Sequence, residues 1–195
     1  ALAITSKYVL RWRGRHLWNP TNFAITALLI VGHGQVATLA AEFGNSHWPV
    51  LLIWCLGFFI LHKLGRLHQP VTFFVALAVF AGLRTVINGR WTLEEFAPMT
   101  GPMYQLFAFF MITDPKTTVL TKKGQILVAV LVAAVECALR LTGNITTTVF
   151  STHAAYFALF TVGPIANVVE LWTLGNKPAA EGPPAAEPVA ATTST

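Results

Sequence analysis

The stretch Phe109-Phe110-Met111-Ile112-Thr113-Asp114-Pro115 runs an aromatic, apolar segment into a carboxylate and then into a proline that stops a helix from continuing. A polar side chain within or beside a membrane span is costly, so Asp114 is the first candidate for chemistry. Its carboxylate can bind a cation or hold a loop. It can equally cap the next short turn by accepting from the Lys116 and Thr117 N–H groups, as Asp does at many helix starts, and the two roles are compatible. The remaining candidates are His33, Glu136, His153 and Asn167, with the polar helix ends Asn19, Asn22, Thr113, Thr117 and Thr118.

Two histidines on separate helices, His33 and His153, raise axial ligation of a b-type haem. No second histidine pair is spaced within those helices, and a lone intramembrane histidine more often hydrogen-bonds across a helix interface, so haem is not expected. Glu136 and Arg140 stand four apart on one helix face and can neutralise each other. His62 and His68 flank a basic loop and read as interfacial. Cys55 and Cys137 lie in apolar runs with no zinc spacing and read as inert small hydrophobes. The sequence has no phosphate-binding glycine loop, nucleophile elbow, metalloprotease helix or redox cysteine pair. Hydrolytic chemistry is not expected, no catalytic residue is assigned, and no metal centre is expected.

The elements that must position these residues follow from composition. Of 195 residues, 54% are hydrophobic and 11% charged, with 14 Phe, 6 Trp and a mean hydropathy of +0.60. Soluble domains carry roughly a quarter charged residues, so soluble enzyme folds are excluded and the lipid bilayer is the first partner. The expected fold is all-α, a polytopic membrane helix bundle of about five or six transmembrane segments with broken or half helices. Thr21 to Ala40 reads as the first span, behind Asn19-Pro20, with a polar interruption at Gly32-His33-Gly34-Gln35. Trp48 to Leu64 and Pro70 to Asn88 follow, then a polar stretch from Arg84 to Pro98 that reads as a loop or interfacial helix. Met103 to Ile112 is too short to span alone and reads as a half-helix with its unwound end inside the protein. Ile126 to Leu139 forms the next span, and Val149 to Leu174 the last, with a kink expected at Gly163-Pro164.

Residues 1–174 therefore read as one transmembrane domain. Within it, 1–15 reads as the end of a preceding helix plus a basic loop, because Ala1 to Ile4 lacks the basic start of a signal peptide; the chain is expected to begin inside a longer protein. Residues 175–195, rich in Pro and Ala, read as a disordered cytoplasmic tail. The formal charge of +5 does not point to nucleic acid, because the basic residues fall in short clusters between apolar segments. Lys7, Arg11, Arg13, Arg15, Lys63, Arg66, Lys116, Lys122, Lys123 and Lys177 fall on one face, and Arg84, Arg90 and Arg140 on the other. That asymmetry places both ends in the cytoplasm, provided the short fourth segment returns the chain across the membrane.

Phe109 to Thr118, FFMITDPKTT, resembles the Thr-Asp-Pro signature of the D subunit of the Rnf electron-transport complex and the B subunit of the sodium-pumping NADH:quinone oxidoreductase, the RnfD/NqrB family. The likeness continues through Lys122-Lys123-Gly124-Gln125 and Pro164-Ile165-Ala166-Asn167. Upstream, Arg13 to Phe23 is similar to the Asn-Pro element that opens a helix in related shorter proteins. It covers most of residues 7 to 174. The resemblance implies one inverted repeat of a urea-transporter-like bundle in the bacterial inner membrane, working with other membrane or redox subunits in flavin-linked electron transfer coupled to ion movement. It puts Asp114 near a cation or flavin path, with Asn19, Asn22, Thr113 and Thr117 as the other cofactor-binding candidates. The Ser/Thr-Gly-Ala-Thr motif that carries covalent FMN is absent, so any FMN or riboflavin would be bound non-covalently. Asn167 and Thr142-Gly143-Asn144-Ile145 replace family carboxylates, which weakens sodium pumping because hard cations need oxygen ligands and negative charge. A small-solute channel and a structural subunit that has lost the redox chemistry stand as alternatives.

Overall fold

The computed structural model describes residues 1–32, 47–89, 93–143 and 149–175. His33, most of the Gly32 to Gln35 interruption, Arg90, Asn144, Ile145 and the tail from Asn176 lie outside them. Helix α1 (Leu2–Val9) leads into a small hairpin, β1 (Arg11–Trp12) paired antiparallel with β2 (Arg15–His16). Its two-residue turn has positive φ at both Arg13 (48°) and Gly14 (81°), the twist that joins two right-twisted strands. Then come α2 (Pro20–Val31), α3 (His47–Lys63) and α4 (His68–Ile87). A 3-10 turn (Leu93–Phe96) and α5 (Ala97–Thr100) lead to α6 (Pro102–Leu106), which runs on as a π-helical turn, Phe107–Met111. Long helix α7 (Lys122–Gly143), short α8 (Val149–Thr152) and long α9 (Ala154–Gly175) complete the described elements.

The chain is an all-α polytopic membrane bundle. Among the described residues, three helical stretches are long and apolar enough to cross a bilayer, His68–Ile87, Lys122–Gly143 and Ala154–Leu174, while α2 and α3 are shorter apolar helices. Helix α4 shows why these are membrane helices. Val71, Val75 and Val79 form an exposed apolar stripe, while Phe73, Leu77 and Ala81 on the opposite face are buried against α7. A helix apolar on every side is stable in lipid, where helices are held by close packing. Ala129 and Ala133 of α7 and Ala154, Ala155 and Ala158 of α9 are fully buried, and such small side chains let neighbouring backbones approach. The same logic holds at Gly57 of α3, where a Cβ would lie 2.6 Å from the Phe109 ring.

The structure corrects one expectation and fills in another. The last segment, read as one span from Val149 to Leu174, is divided at His153 into α8 and α9, with Pro164 inside α9. The polar stretch after Arg84, read as a loop or interfacial helix, holds two short helical turns, and its Glu95 folds back to bond with Arg84 of α4.

Candidate functional site

Pro115 ends the half-helix, and the residues around it take up the hydrogen bonds the helix leaves unmade. A helix C-terminus strands its last carbonyls, and inside a membrane each stranded group is expensive. The Thr113 hydroxyl donates to the Phe109 carbonyl, and the Thr118 hydroxyl donates to the Ile112 carbonyl at 2.9 Å. Pro115 has no N–H for the Met111 carbonyl, and that oxygen is approached by Asn19 Nδ2 at 3.4 Å. The Thr-Asp-Pro-Lys-Thr-Thr run is thus a cap in which almost every polar atom closes part of a helix end.

Asp114 is the centre of this arrangement. Its Oδ1 accepts from the Lys116 N–H at 3.0 Å, and its Oδ2 accepts from the Thr117 hydroxyl at 3.0 Å and from Asn19 Nδ2 at 3.2 Å. The capping role is therefore present with one change of partner, since the Thr117 N–H donates to the Asp114 backbone carbonyl and its hydroxyl reaches the carboxylate. Asn19 faces both ways: its Oδ1 accepts the Thr21 and Asn22 N–H groups at 3.0 Å, capping α2, while its amide holds Asp114. Pro20 at the first helical position supports the same start.

The structure thus joins Asn19, Asp114 and Thr117 directly. Thr113 lines the same groove beside Asp114, with Ile60 and Leu61 of α3 and the following Leu64 forming the apolar wall. Asn22 turns away, and its buried side chain donates to the Tyr156 carbonyl of α9 at 3.2 Å. Asn167 is drawn in from α9, donating to the Thr117 carbonyl at 2.7 Å and to the Leu17 carbonyl at 3.1 Å. Arg15 of the hairpin pairs with Glu170 at 2.7 Å and donates to the Thr118 carbonyl at 2.8 Å. His153 stands between α8 and α9, where burial pushes its pKa down. Among the described residues no group of three or more His, Cys, Asp or Glu is placed to hold a metal ion.

A second polar cluster lies at the far end of α4 and α7. Glu136 pairs with Arg140, as their spacing predicts, but it also accepts from Arg84 at 3.2 Å and from the Tyr104 hydroxyl at 2.7 Å. Arg140 Nη2 donates to the same tyrosine oxygen at 2.7 Å. Arg84 Nε bonds Glu95 at 2.7 Å, so two arginines and two glutamates balance. Sequence reasoning missed Arg84, Glu95 and Tyr104 as site members. The available signal was Arg84 itself, a cation in an apolar span with no acid one turn away on its own helix.

These contacts fix the course of the chain. The hairpin, the 114–120 segment and the end of α9 meet at one end of the bundle, and the starts of α4 and α7 join through His68 Nε2 and Gln125 Oε1 at 2.8 Å. Tyr104 sits with Glu136, near the far end of α7, and Asp114 with the hairpin-proximal Asn19, so the half-helix runs back between the two ends.

Residues 14–154 match the family described as the NQR2, RnfD, RnfE family. Among curated relatives, the D subunit of the ion-translocating oxidoreductase complex of Actinobacillus succinogenes is 30% identical over 105 residues, 53% of this chain and 30% of that protein. The same component from Erwinia tasmaniensis is 31% identical over 87 residues, 45% of this chain and 25% of that protein. That of Cronobacter sakazakii is 33% identical over 98 residues, 50% of this chain and 28% of its own length. The matched stretches thus span less than a third of these relatives.

Proposed function

We propose, on the premise that the chain belongs to the NQR2, RnfD, RnfE family, that it is a membrane-embedded subunit of an ion-translocating oxidoreductase complex. The observation that carries this reading is Asp114. It is a half-exposed carboxylate at a half-helix end, held by three neutral donors, with no Lys, Arg or His nitrogen in salt-bridge range among the described residues. A carboxylate offers about four lone-pair sites, so three bonds leave capacity for a cation. Such a charge beside an apolar groove favours a bound cation over an anion.

The same charge favours riboflavin over FMN. The FMN phosphate does not suit a groove whose free polar group is a carboxylate and whose amide donor, Asn19 Nδ2, is already engaged. Riboflavin carries no phosphate and is the flavin compatible with Asn19, Thr113, Asp114 and Thr117; when bound it would supply one- or two-electron redox chemistry. Asn22 supports the site from behind, through its N–H on Asn19 Oδ1. The gathering of the basic residues at the Asp114 end favours a bacterial inner-membrane protein with that end in the cytoplasm. The partners are the redox and membrane subunits of such a complex.

A second reading has its own support: the hydroxyls of Thr113 and Thr118 are spent on closing the half-helix and that of Thr117 on holding Asp114, as a structural subunit would require. Mild-detergent extraction of the complex and its oxidised and dithionite-reduced spectra, followed by acid precipitation, test the flavin. Cation-dependent turnover of Asp114→Asn tests the ion. Flavin released into the supernatant and a weakened cation dependence are expected. A featureless spectrum with full turnover in Asp114→Asn moves the assignment to the structural subunit.

A further inference from the structure

We infer that the segment from Leu93 to Gly101 is a strap that closes over the buried Arg84–Glu136 pair and controls water access to it from the end of the bundle opposite Asp114. The strap buries none of its own residues from Leu93 to Thr100, although Met99 packs against the edge of the core. What lies beneath it is sealed: Arg84, Tyr104 and Glu136 are 2%, 2% and 1% exposed. A segment with little buried surface of its own has little packing to hold it down, so its seat depends on its polar contacts.

At its far end the Thr100 carbonyl accepts from Gln105 Nε2 at 3.1 Å, and over the charge pair its polar fastening is one residue. Glu95 Oε2 accepts from Arg84 Nε at 2.7 Å, its backbone carbonyl accepts from Arg84 Nη2 at 3.1 Å, and its Oε1 accepts from Asn88 Nδ2 at 3.2 Å. Arg84 is thus shared between the strap and α7, where it donates to Glu136. The charge count makes the closure self-restoring. Closed, two arginines face two glutamates. Lifted, Arg84 and Arg140 face Glu136 alone, and the surplus positive charge in a poorly solvated site pulls Glu95 back. An open polar groove bordered by Glu94, Glu95, Arg140 and Ser151 already runs along this side, so lifting the strap connects it to the pair below.

The chain carries its own reporter. Cys137, next to Glu136, is 4% exposed, and its thiol lies beside Arg84. The other cysteine, Cys55, is exposed on α3 and is removed as Cys55→Ser. In proteoliposomes, a membrane-impermeant, charged thiol reagent is expected to modify Cys137 slowly in that background. Adding Glu95→Gln, which replaces a charge-assisted bond by a neutral one, is expected to raise the rate about tenfold or more. A control chain with Cys55→Ser, Cys137→Ser, Ala129→Cys and Glu95→Gln places the thiol two turns deeper on α7, at a fully buried position. It is expected to stay slow. An unchanged Cys137 rate in Glu95→Gln overturns the strap, and so does a parallel rise at position 129, which would mean a loosened bundle.

Discussion

The indole N–H of Trp18 donates to the Phe160 carbonyl at 2.9 Å, and Phe160 is the residue whose intrahelical partner would have been the N–H that Pro164 lacks. The next residue, Asn19, approaches the Met111 carbonyl, which Pro115 leaves open in the same way. One short loop before α2 therefore repairs two proline-made gaps in two different elements, and this is how the loop, the half-helix and α9 are fixed to one another around Asp114. It also explains how α9 carries a proline at its middle and stays one helix.

Trp18→Phe is expected to destabilise the protein by about 1–3 kcal/mol, the cost of leaving a buried carbonyl unpaired, beyond any loss of ring packing. Pro164→Ala restores an intrahelical donor for Phe160. In the Pro164→Ala background the same Trp18→Phe change should cost measurably less, and denaturation in mild detergent of the four proteins of the double-mutant cycle gives the coupling. Equal costs in both backgrounds would show that Trp18 acts through its ring contacts with Phe23 and Phe160 alone.

The buried charge cluster gives a sharper test. Removing one member of a buried pair strands the other, typically at about 3–5 kcal/mol, whereas replacing both by apolar residues is far cheaper. Arg84→Leu and Glu136→Leu should each destabilise strongly. The double variant should be more stable than either, because the surplus charge is gone from the buried site and the two that remain, Glu95 and Arg140, are opposite in sign and border an open groove. Unfolding midpoints of the three variants decide it, and a double variant as unstable as the sum of the singles would refute the pairing.

What the sequence disclosed followed the range of its signals. Asn19-Pro20 and Asp114-Pro115 were legible because capping and proline chemistry act within a few residues, and Glu136–Arg140 because a helix repeats every four. Arg84–Glu95 was not, since it requires the chain to turn back on itself after α4, and Arg84–Glu136 joins residues 52 apart. The π-helical turn at Phe107–Met111 and the close seat of Phe109 on Gly57 had no local signature either, because both arise from packing between helices. Within the candidate site, spacing identified Asn19, Asp114 and Thr117 as polar helix ends; that one amide joins the α2 cap to the carboxylate depends on tertiary placement.

His153 supplies a prediction in pH. It is half-buried between α8 and α9, and burial alone lowers its pKa below the ordinary imidazole value near 6.5. The unfolded chain therefore takes up the His153 proton at a higher pH than the folded chain does. Between the ordinary value and the lowered one, the unfolded state binds more protons, so the stability present above about pH 6.5 is lost progressively as pH falls through that window. His153→Gln removes the titrating group while keeping a polar side chain at the hinge. Unfolding of the two proteins, followed from pH 7.5 down to about 5, should show a steeper loss for the native chain, and the difference between the curves should become constant above neutrality. Parallel curves throughout would mean that the imidazole is protonated equally easily in both states.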